Sequence, residues 1–314
     1  MNSVAKLLSG RVIWVTGKGG TGKTSFAAAL AVVGAAKGRK TLLCEVDTSR
    51  PAMAAIFDKP ADFEPVTMAP NLDVSNVHWD GALAAYVQTY IPVKRLVKGV
   101  LNNRVVRRFL DFAPGAREMF ILSRIVALLD DYDLVVVDMH ASGHAYSMLD
   151  ITRSAARLFR SGPMLKRAQQ LQEVITDAQT HTAFVALPEE MVVNETLETV
   201  ERMREAKLFG GEPVVFLNRA TLPSLNDEER TLLARLNAEE LTVQAREFVR
   251  AGVWEDRLEQ ATQESMQRLG EAFGHTPVLV PPVGGGGIPR HVVAQLAVAL
   301  GRQVGVSRRE LPWT

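Results

Sequence analysis

Short apolar runs alternate with longer stretches of helical periodicity along this chain. The runs are rich in β-branched and aromatic residues, and turn-forming residues bound most of them, which is typical of buried strands. The stretches between them repeat apolar residues at steps of three and four. This alternation predicts an α/β fold with a mostly parallel sheet covered by helices on both faces. The predicted strands are residues 12–16, 41–46, 72–77, 132–138, 182–187, 213–217 and 278–280.

The helical pattern is longest between residues 81 and 130, where Pro114-Gly115 interrupts it. Residues 145–179 are also mostly helical, whereas residues 60–70 are predicted to be irregular. Two interpretations of the 81–130 stretch remain open: helices that pack on the core with a solvated basic face, or a helical subdomain that presents an apolar surface to a client or a membrane partner. We predict one domain over residues 1–314 with a helical insertion at about 81–130, and residues 145–179 as a further candidate insertion.

Composition excludes several classes of protein. The net charge of +1 over 314 residues gives no general attraction to nucleic acid or anionic membrane, and we expect no nucleic-acid partner. We expect no transmembrane segment and no secretory signal. The single cysteine, Cys44, lies in a predicted strand and is interpreted as a core residue, although a reactive thiol is the alternative. A cytoplasmic protein is the expectation.

Residues 17–24 read Gly-Lys-Gly-Gly-Thr-Gly-Lys-Thr and match the phosphate-binding pattern G-x-x-x-x-G-K-[ST] at every position. A predicted strand precedes this phosphate loop and an Ala-rich predicted helix follows it, as the motif requires. Glycines let successive backbone N–H groups converge on a phosphate at the positive end of the helix dipole. The alternative is a Gly-rich turn that binds nothing. The predicted phosphate-binding residues are Gly17, Gly19, Gly20, Thr21, Gly22, Lys23, Thr24 and Ser25.

Each polar side chain of the loop has its own expected task. Lys23 adds a positive charge between the β- and γ-phosphates and is a candidate catalytic residue. The Thr24 hydroxyl is a candidate ligand of Mg²⁺, and Ser25 can donate to the α-phosphate. Lys18 stands at the second loop position, where an exposed loop lysine is one interpretation.

Polar residues follow several predicted strands. Asp47 ends the strand at 41–46, where it could orient an attacking water or cap a helix. Asp138 ends the strand at 132–138 in the manner of a Walker B aspartate, which holds Mg²⁺ through water. Gly143 lies in the following loop, with His140 and His144, where a backbone N–H could approach the γ-phosphate. Asn218, which ends another strand, can pair with an adenine edge.

With these residues in place, the chain resembles the SIMIBI class of P-loop ATPases, and within it the arsenite-pump and tail-anchored-protein targeting ATPase family. The similarity runs from about residue 11 to residue 301. It rests on Lys-Gly-Gly-Thr-Gly-Lys-Thr at 18–24, on Asp47 with Ile56-Phe57, on Asp138 with Gly143-His144, on Leu187-Pro188-Glu189-Glu190 and on Asn218-Arg219. The resemblance implies ATP and Mg²⁺ as cofactors.

The same resemblance implies roles for individual residues. Lys18 would cross a dimer interface to the partner's nucleotide, and Asp47 would position the attacking water. Asp47 and Asp138 would contact Mg²⁺ partly through water, and Asn218 with Arg219 would contact adenine. The implied assembly is a homodimer or a heterodimer with a paralogous ATPase.

The chain also departs from the family's pattern. Ser49-Arg50-Pro51 follows Asp47-Thr48 where Asp-Pro-Ala is usual, and Met139-His140-Ala141-Ser142 replaces Thr-Ala-Pro-Thr. These changes bear on the rate of hydrolysis. The Cys-x-x-Cys zinc pair and the arsenite-binding cysteines of some members are missing from the sequence, so we expect neither a zinc-clamped dimer nor arsenite bound by thiolates.

Three functions remain open at this point. The first is a dimeric Mg²⁺-ATP-dependent ATPase of the arsenite-pump or tail-anchored-protein targeting type, whose nucleotide cycle opens and closes a surface for a hydrophobic or membrane-protein client. The second is a nucleotide-binding, weakly catalytic subunit of a heterodimer. The third is a membrane- or DNA-positioning ATPase, for which the C-terminal segment is a poor match because it is short and contains Pro312.

Overall fold

An eight-stranded sheet forms the centre of the molecule. The computed structural model describes residues 2–48, 52–90, 115–158, 160–284 and 288–312, without the side chains of Tyr90 and Leu158. The strand order is β3-β4-β2-β5-β1-β6-β7-β8, and all neighbouring pairs are parallel except β3 with β4. The strands are β1 Val12–Thr16, β2 Thr41–Val46, β3 Val66–Ala69, β4 Leu72–Val77, β5 Leu134–Asp138, β6 Thr180–Ala186, β7 Val214–Asn218 and β8 Val278–Val280.

Helices cover both faces of this sheet, which confirms the predicted α/β class. One face carries the first three helices and the last, and the other face carries most of the rest. The helices are α1 Ser3–Ser9, α2 Lys23–Ala36, α3 Ala52–Phe57, α4 Trp79–Tyr90, α5 Ala116–Leu128, α6 Ser142–Leu158, α7 Pro163–Thr176, α8 Glu190–Glu205, α9 Asp227–Asn237, α10 Val243–Phe273 and α11 Pro289–Arg302.

The central strands are apolar on both sides because each side meets a helical layer. Alternate residues of β2 and β5, such as Leu43 and Val136, pack with α2, whereas Leu42 and Val135 pack in the opposite core. Every residue of both strands is buried. This explains why the sequence shows continuous apolar runs rather than an alternation of apolar and polar residues.

The strand order brings the predicted site residues together. Strand β1 lies between β5 and β6, and β2 pairs with the other edge of β5. The strands that follow β1 in the sequence, β2 to β5, lie on one side of it in the sheet, and β6 to β8 lie on the other side. Ligands of open α/β sheets bind outside the carboxyl ends of strands at such a reversal. The loops after β1, β2 and β5 all begin at this edge.

One local prediction was wrong: residues 60–70 are not wholly irregular, because Val66–Ala69 forms the antiparallel edge strand β3 beside β4. The structure also contains α1 near the N-terminus, whose Val4, Leu7 and Leu8 are buried. The polar stretch after residue 222 contains the 31-residue helix α10.

The structure describes part of the predicted insertion. Helix α5 and most of α4 fall within residues 81–130 and pack against each other, while residues 91–114 lie outside the described residues. Of the apolar side chains that suggested a client surface, Leu83 and Phe120 are buried, whereas Tyr86 and Val87 are half-buried. Large apolar side chains are instead exposed on α10, at Phe248 and Trp254. In the described ranges, no helix has the length and apolar character needed to cross a membrane.

Candidate functional site

The phosphate loop joins β1 to α2, and its glycines are required for different reasons. Gly17 has φ of 145°, and a Cβ there would lie 2.2 Å from the carbonyl oxygen of Val185, so a side chain would force the backbone apart. Gly20 and Gly22 also have positive φ, at 85° and 97°. At Gly19 and Gly20 an added Cβ would meet no atom within 4 Å. The loop thus leaves open space beside these two residues, as a phosphate cradle must.

Lys23 contacts the backbone of the phosphate loop. Lys23 is the first residue of α2, and its Nζ donates to the carbonyl oxygen of Lys18 at 2.9 Å. The hydroxyl of buried Thr21 donates to the same oxygen at 2.9 Å. Burial lowers the pKa of Lys23, and the nearby carboxylates Asp138 and Glu195 oppose that shift. A bound anion would supply the charge that Lys23 needs in this half-buried position.

Lys18 forms an ion pair inside its own chain. Its Nζ lies 3.4 Å from Oε2 of Glu195 on α8. The other oxygen of Glu195 accepts a hydrogen bond from the Ser142 hydroxyl, at the start of α6. The backbone N–H of Ser142 donates to the carbonyl oxygen of Gly17 at 3.0 Å. Glu195 therefore connects the phosphate loop to the segment after β5.

Asp138 lies at the end of β5 with one oxygen unused. Its side chain is 8% exposed, and it shares a hydrogen bond with Thr24 in the first turn of α2. Among the described residues, its Oδ1 has no hydrogen-bond partner. Burial raises the pKa of Asp138 to about 7, with Glu45 adding to the shift and Thr24 and Lys23 opposing it. A buried, unpaired carboxylate oxygen beside the Thr24 hydroxyl fits a site for a hydrated Mg²⁺ ion.

Asp47 follows β2 in a strained conformation with φ of 41°. Its side chain is exposed, and its Oδ1 accepts a hydrogen bond from the backbone N–H of Trp79 at 3.2 Å, at the start of α4. In this conformation the carboxylate caps α4, and a helix cap was the alternative interpretation of Asp47. This hydrogen bond uses one of the two carboxylate oxygens.

The segment after β5 contains two neighbouring histidines. The rings of His140 and His144 are in edge contact, with centroids 4.7 Å apart. Burial lowers the pKa of His140, and His144 adds to the shift. Gly143 is exposed in the first turn of α6, and an added Cβ would meet nothing within 4 Å. A side chain at position 143 would therefore meet open space, and the contact between the Gly143 N–H and the γ-phosphate stays a prediction.

Asn218, at the end of β7, is tied to the phosphate loop. Its side-chain amide donates to the carbonyl oxygen of Thr21 at 2.8 Å, and its Oδ1 accepts from the backbone N–H of Arg219 at 3.0 Å. Arg219 itself is exposed, with φ of 56°. The adenine contact assigned to these two residues stays a prediction, and Asn218 also has a structural task.

Sequence reasoning assigned no role at this site to two glutamates, although Glu195, with Thr196, belongs to the family resemblance. Glu45 lies on β2 opposite Asp138, and Glu195 pairs with Lys18. The signal for Glu45 was a charged residue inside an otherwise apolar strand, which is costly to bury without a purpose. The sequence could not reveal that Glu195 pairs with Lys18, because the two residues lie on separate elements.

A β-strand, a Gly-rich loop and a helix that begins with Lys23-Thr24, beside a strand that ends in Asp138, define a P-loop ATPase. Comparison with known proteins agrees: a sequence model of the family described as anion-transporting ATPase matches residues 10–162. The chain belongs to this family.

Three relatives indicate how far the similarity extends. The ATPase BagA of Mycobacterium tuberculosis is 31% identical over 226 residues, which cover 67% of this chain and 66% of that protein. A putative arsenical pump-driving ATPase of Halobacterium salinarum is 30% identical over 202 residues, 57% of this chain and 31% of that protein. A putative arsenical pump-driving ATPase 2 of Aquifex aeolicus is 25% identical over 205 residues, 62% and 63% of the two chains. The chain thus matches about two thirds of the length of the first of these, and less of the others.

Proposed function

We propose that this protein is a dimeric, Mg²⁺-dependent ATPase that couples ATP binding and hydrolysis to the opening and closing of a surface for a client or partner protein. The observation that carries the proposal is the arrangement at the first turn of α2. Lys23 and Thr24 begin this helix beside an open Gly-rich loop, and the Thr24 hydroxyl shares a hydrogen bond with buried Asp138.

Within one subunit, the loop residues would bind the nucleotide. The N–H groups of the loop and Lys23 neutralise the phosphates, since both lie at the positive end of α2. Thr24 and Asp138 would hold Mg²⁺, and the unpaired Oδ1 of Asp138 supports that assignment. When bound, Mg²⁺ would offset charge that develops on the phosphates. Gly143, Asn218 and Arg219 would complete the contacts to the γ-phosphate and adenine.

Two residues would act on hydrolysis itself. Asp47 stands at the carboxyl end of β2, on the same edge of the sheet as Asp138, and would orient the attacking water with its free oxygen. Lys18 would act across the dimer, where a cation from the partner subunit stabilises the charge of the transferred phosphoryl group. Its ion pair with Glu195 would have to open first.

We propose that the client is not a metalloid bound by thiolates. Relatives carry the name arsenical pump-driving ATPase, but arsenite is a soft ligand that needs several thiolates, and the single cysteine here is buried.

We keep the single domain with a helical insertion at about 81–130 as part of the proposal, with the client surface near that insertion. A fluorescent dye that binds apolar surface should report a change on addition of Mg²⁺-ATP; an unchanged signal would contradict the coupling.

The decisive test measures ATP turnover per subunit against protein concentration, for the native chain, Lys18→Ala and Asp47→Asn. A dimer-activated ATPase should gain turnover per subunit with concentration. Lys18→Ala should lose about 1000-fold, as loss of a charge-stabilising cation does in related reactions, and Asp47→Asn should lose about 100-fold or more, the usual effect of removing a carboxylate that positions a nucleophile. Lys166→Ala, which removes an exposed lysine on α7, is the matched control and should turn over normally. Turnover that is independent of concentration in the native chain would contradict dimer activation.

The hydrogen bond between Asp47 and Trp79 favours a second candidate, a weakly catalytic subunit that needs a paralogous ATPase. A carboxylate already engaged as a helix cap is poorly placed to orient water. In that case the purified chain would bind Mg²⁺-ATP and hydrolyse it negligibly at every concentration. Normal turnover of the purified homodimer would exclude this candidate.

A further inference from the structure

A second buried carboxylate faces the same space as Asp138. Glu45 is 4% exposed and stands directly opposite Asp138 in the register between β2 and β5. Residues paired in adjacent parallel strands point to the same face of the sheet. Leu43 and Val136, each two residues earlier, pack in the core that contains α2. Both carboxylates therefore lie on the side of the sheet where α2 begins.

Within the part of the chain that the structure describes, each of these carboxylates has a buried oxygen with no hydrogen-bond partner. The two atoms are Oε2 of Glu45 and Oδ1 of Asp138. Unpaired carboxylate oxygens that are both buried and close to each other are costly, unless a cation or its bound water completes them. No set of three or more His, Cys, Asp or Glu side chains suited to a metal occurs in the part of the chain that is described. Two carboxylates and the Thr24 hydroxyl instead suit Mg²⁺, which keeps several waters and takes phosphate oxygens as ligands.

The other oxygen of Glu45 has a structural task. Its Oε1 accepts a hydrogen bond from the backbone N–H of Ala52 at 2.6 Å, at the start of α3, and the backbone N–H of Met53 also interacts with this carboxylate. Among the described residues, these donors leave Oε2 without a partner. A neutral side chain could cap α3 equally well, without placing a second carboxylate beside Asp138.

We propose that Glu45 is a positioning residue of the Mg²⁺ site, which holds the ion through its shell of water with Oε2 while Oε1 fixes the start of α3. This inference rests on the proposed Mg²⁺-nucleotide binding at the phosphate loop. Asp47 lies between Glu45 and α3 along the chain. Occupancy of the metal site is thereby coupled to the segment that carries the water-orienting carboxylate.

The test compares the affinity for ADP with and without Mg²⁺, by titration calorimetry, in the native chain and in Glu45→Gln. Glutamine keeps the size of the side chain and an oxygen that can accept from Ala52. We expect unchanged affinity for ADP without Mg²⁺, and a strengthening by Mg²⁺ that is about 10- to 100-fold smaller than in the native chain, the usual effect of losing an outer-shell partner of a metal. Glu259→Gln changes a buried glutamate of α10 in the same way and should retain the native response.

The outcomes separate this inference from the proposed function. A native chain that binds no ADP under either condition would overturn both. If the native chain responds to Mg²⁺ and Glu45→Gln responds equally, or loses affinity to the same extent with and without Mg²⁺, the metal role of Glu45 is overturned. A second measurement uses the native chain alone, in case the variant fails to fold. With ADP saturating, Mg²⁺ should slow amide hydrogen exchange in residues 52–57, and unchanged exchange would overturn the link to α3.

Discussion

Lys18 Nζ lies 3.4 Å from Glu195 Oε2, so the lysine proposed to act on a partner subunit is paired within its own chain. Both side chains are partly exposed, at 29% and 36%. An ion pair of this exposure contributes little to stability, about 0–1 kcal/mol. Its significance is therefore positional, because Lys18 has to leave Glu195 before it can reach across a dimer interface.

Glu195→Gln should make dimer activation easier. The variant removes the charge that holds Lys18, so we expect half-maximal turnover at a lower protein concentration than in the native chain. The unfolding free energy should change by less than about 1 kcal/mol. Turnover measured over a concentration series, together with chemical denaturation, checks both expectations. Glu198→Gln, an exposed position of α8, should behave as the native chain does. A shift of Glu195→Gln to higher concentration would show that Glu195 supports the active dimer.

Alanine at two glycines of the phosphate loop should separate folding from binding. Gly17→Ala should destabilise the protein by at least about 2 kcal/mol, because its methyl would lie 2.2 Å from the Val185 carbonyl oxygen at φ of 145°. Gly19→Ala should leave the unfolding free energy within about 0.5 kcal/mol, since nothing lies within 4 Å of its added methyl. The same methyl occupies space that a phosphate needs, so affinity for ADP should fall more than about 10-fold, the loss of one charge-assisted hydrogen bond. Native-like ADP binding by Gly19→Ala would mean that phosphate does not approach this side of the loop.

The elements predicted correctly are those whose evidence is local. The loop at 17–24 is set by its own glycines and by the strand and helix beside it. The apolar run 41–46 is recognisable because both sides of β2 are buried. By contrast, β3 depends on its pairing with β4. Its four residues are half-buried or exposed, so the sequence has no buried apolar run there that would indicate a strand. The alternation of strands and helices along the sequence does not indicate that the sheet has an antiparallel strand at its edge.

The candidate site divides in the same way. Lys23, Thr24 and Asp138 belong to motifs with fixed spacing, so the sequence alone is enough to name them as candidates. The tasks of Glu45 and Glu195 depend on partners that only the strand register and helix packing bring near. Sequence likewise could not reveal that Asp47 caps α4 or that Asn218 is bonded to Thr21. These contacts occupy atoms that the predicted roles also need.

The stability of the nucleotide-free protein should depend on pH through Asp138. Its pKa rises on folding from 3.8 to about 7, so the folded form retains this proton over a pH range in which the unfolded chain has lost it. The favourable contribution of Asp138 is therefore complete below pH 4 and is lost as the pH rises to about 7. The groups that face it are Glu45 on β2, whose pKa burial also raises, and Lys23 with Thr24 on α2.

Asp138→Asn isolates this contribution, because asparagine carries no titrating proton. The unfolding free energy of both proteins is measured by chemical denaturation at pH 5, 6, 7 and 8. Relative to the variant, the native chain should lose stability as the pH rises to about 7. Above that pH the difference between the two unfolding free energies should be constant. A difference that stays flat from pH 5 to pH 8 would mean that the pKa of Asp138 is close to its ordinary value in the folded protein. Lys166→Ala serves again as a control whose pH dependence should match the native one.

Helix α9 should depend on a single buried carboxylate for its attachment. None of its residues is buried, and Arg230 joins it to Asp256 at 2.8 Å and to Glu259 at 2.5 Å on α10. Glu259 is 0% exposed and also accepts from the Ser224 hydroxyl and backbone N–H, at 2.6 and 2.7 Å. Glu259→Ala removes these bonds but leaves Asp256, so we expect local opening of α9 to become easier by about 2 kcal/mol, less than for a fully buried pair.

Amide hydrogen exchange of residues 227–237 measures that opening directly and should accelerate about 30-fold in Glu259→Ala, the equivalent of 2 kcal/mol. Glu255→Ala, an exposed position of the same helix, is the control and should exchange at the native rate. ADP affinity should stay native in both variants, since the phosphate loop lies on other elements. Unchanged exchange in Glu259→Ala would mean that the Arg230–Asp256 pair suffices to hold α9, whereas global unfolding would mean that Glu259 supports the sheet core through α10.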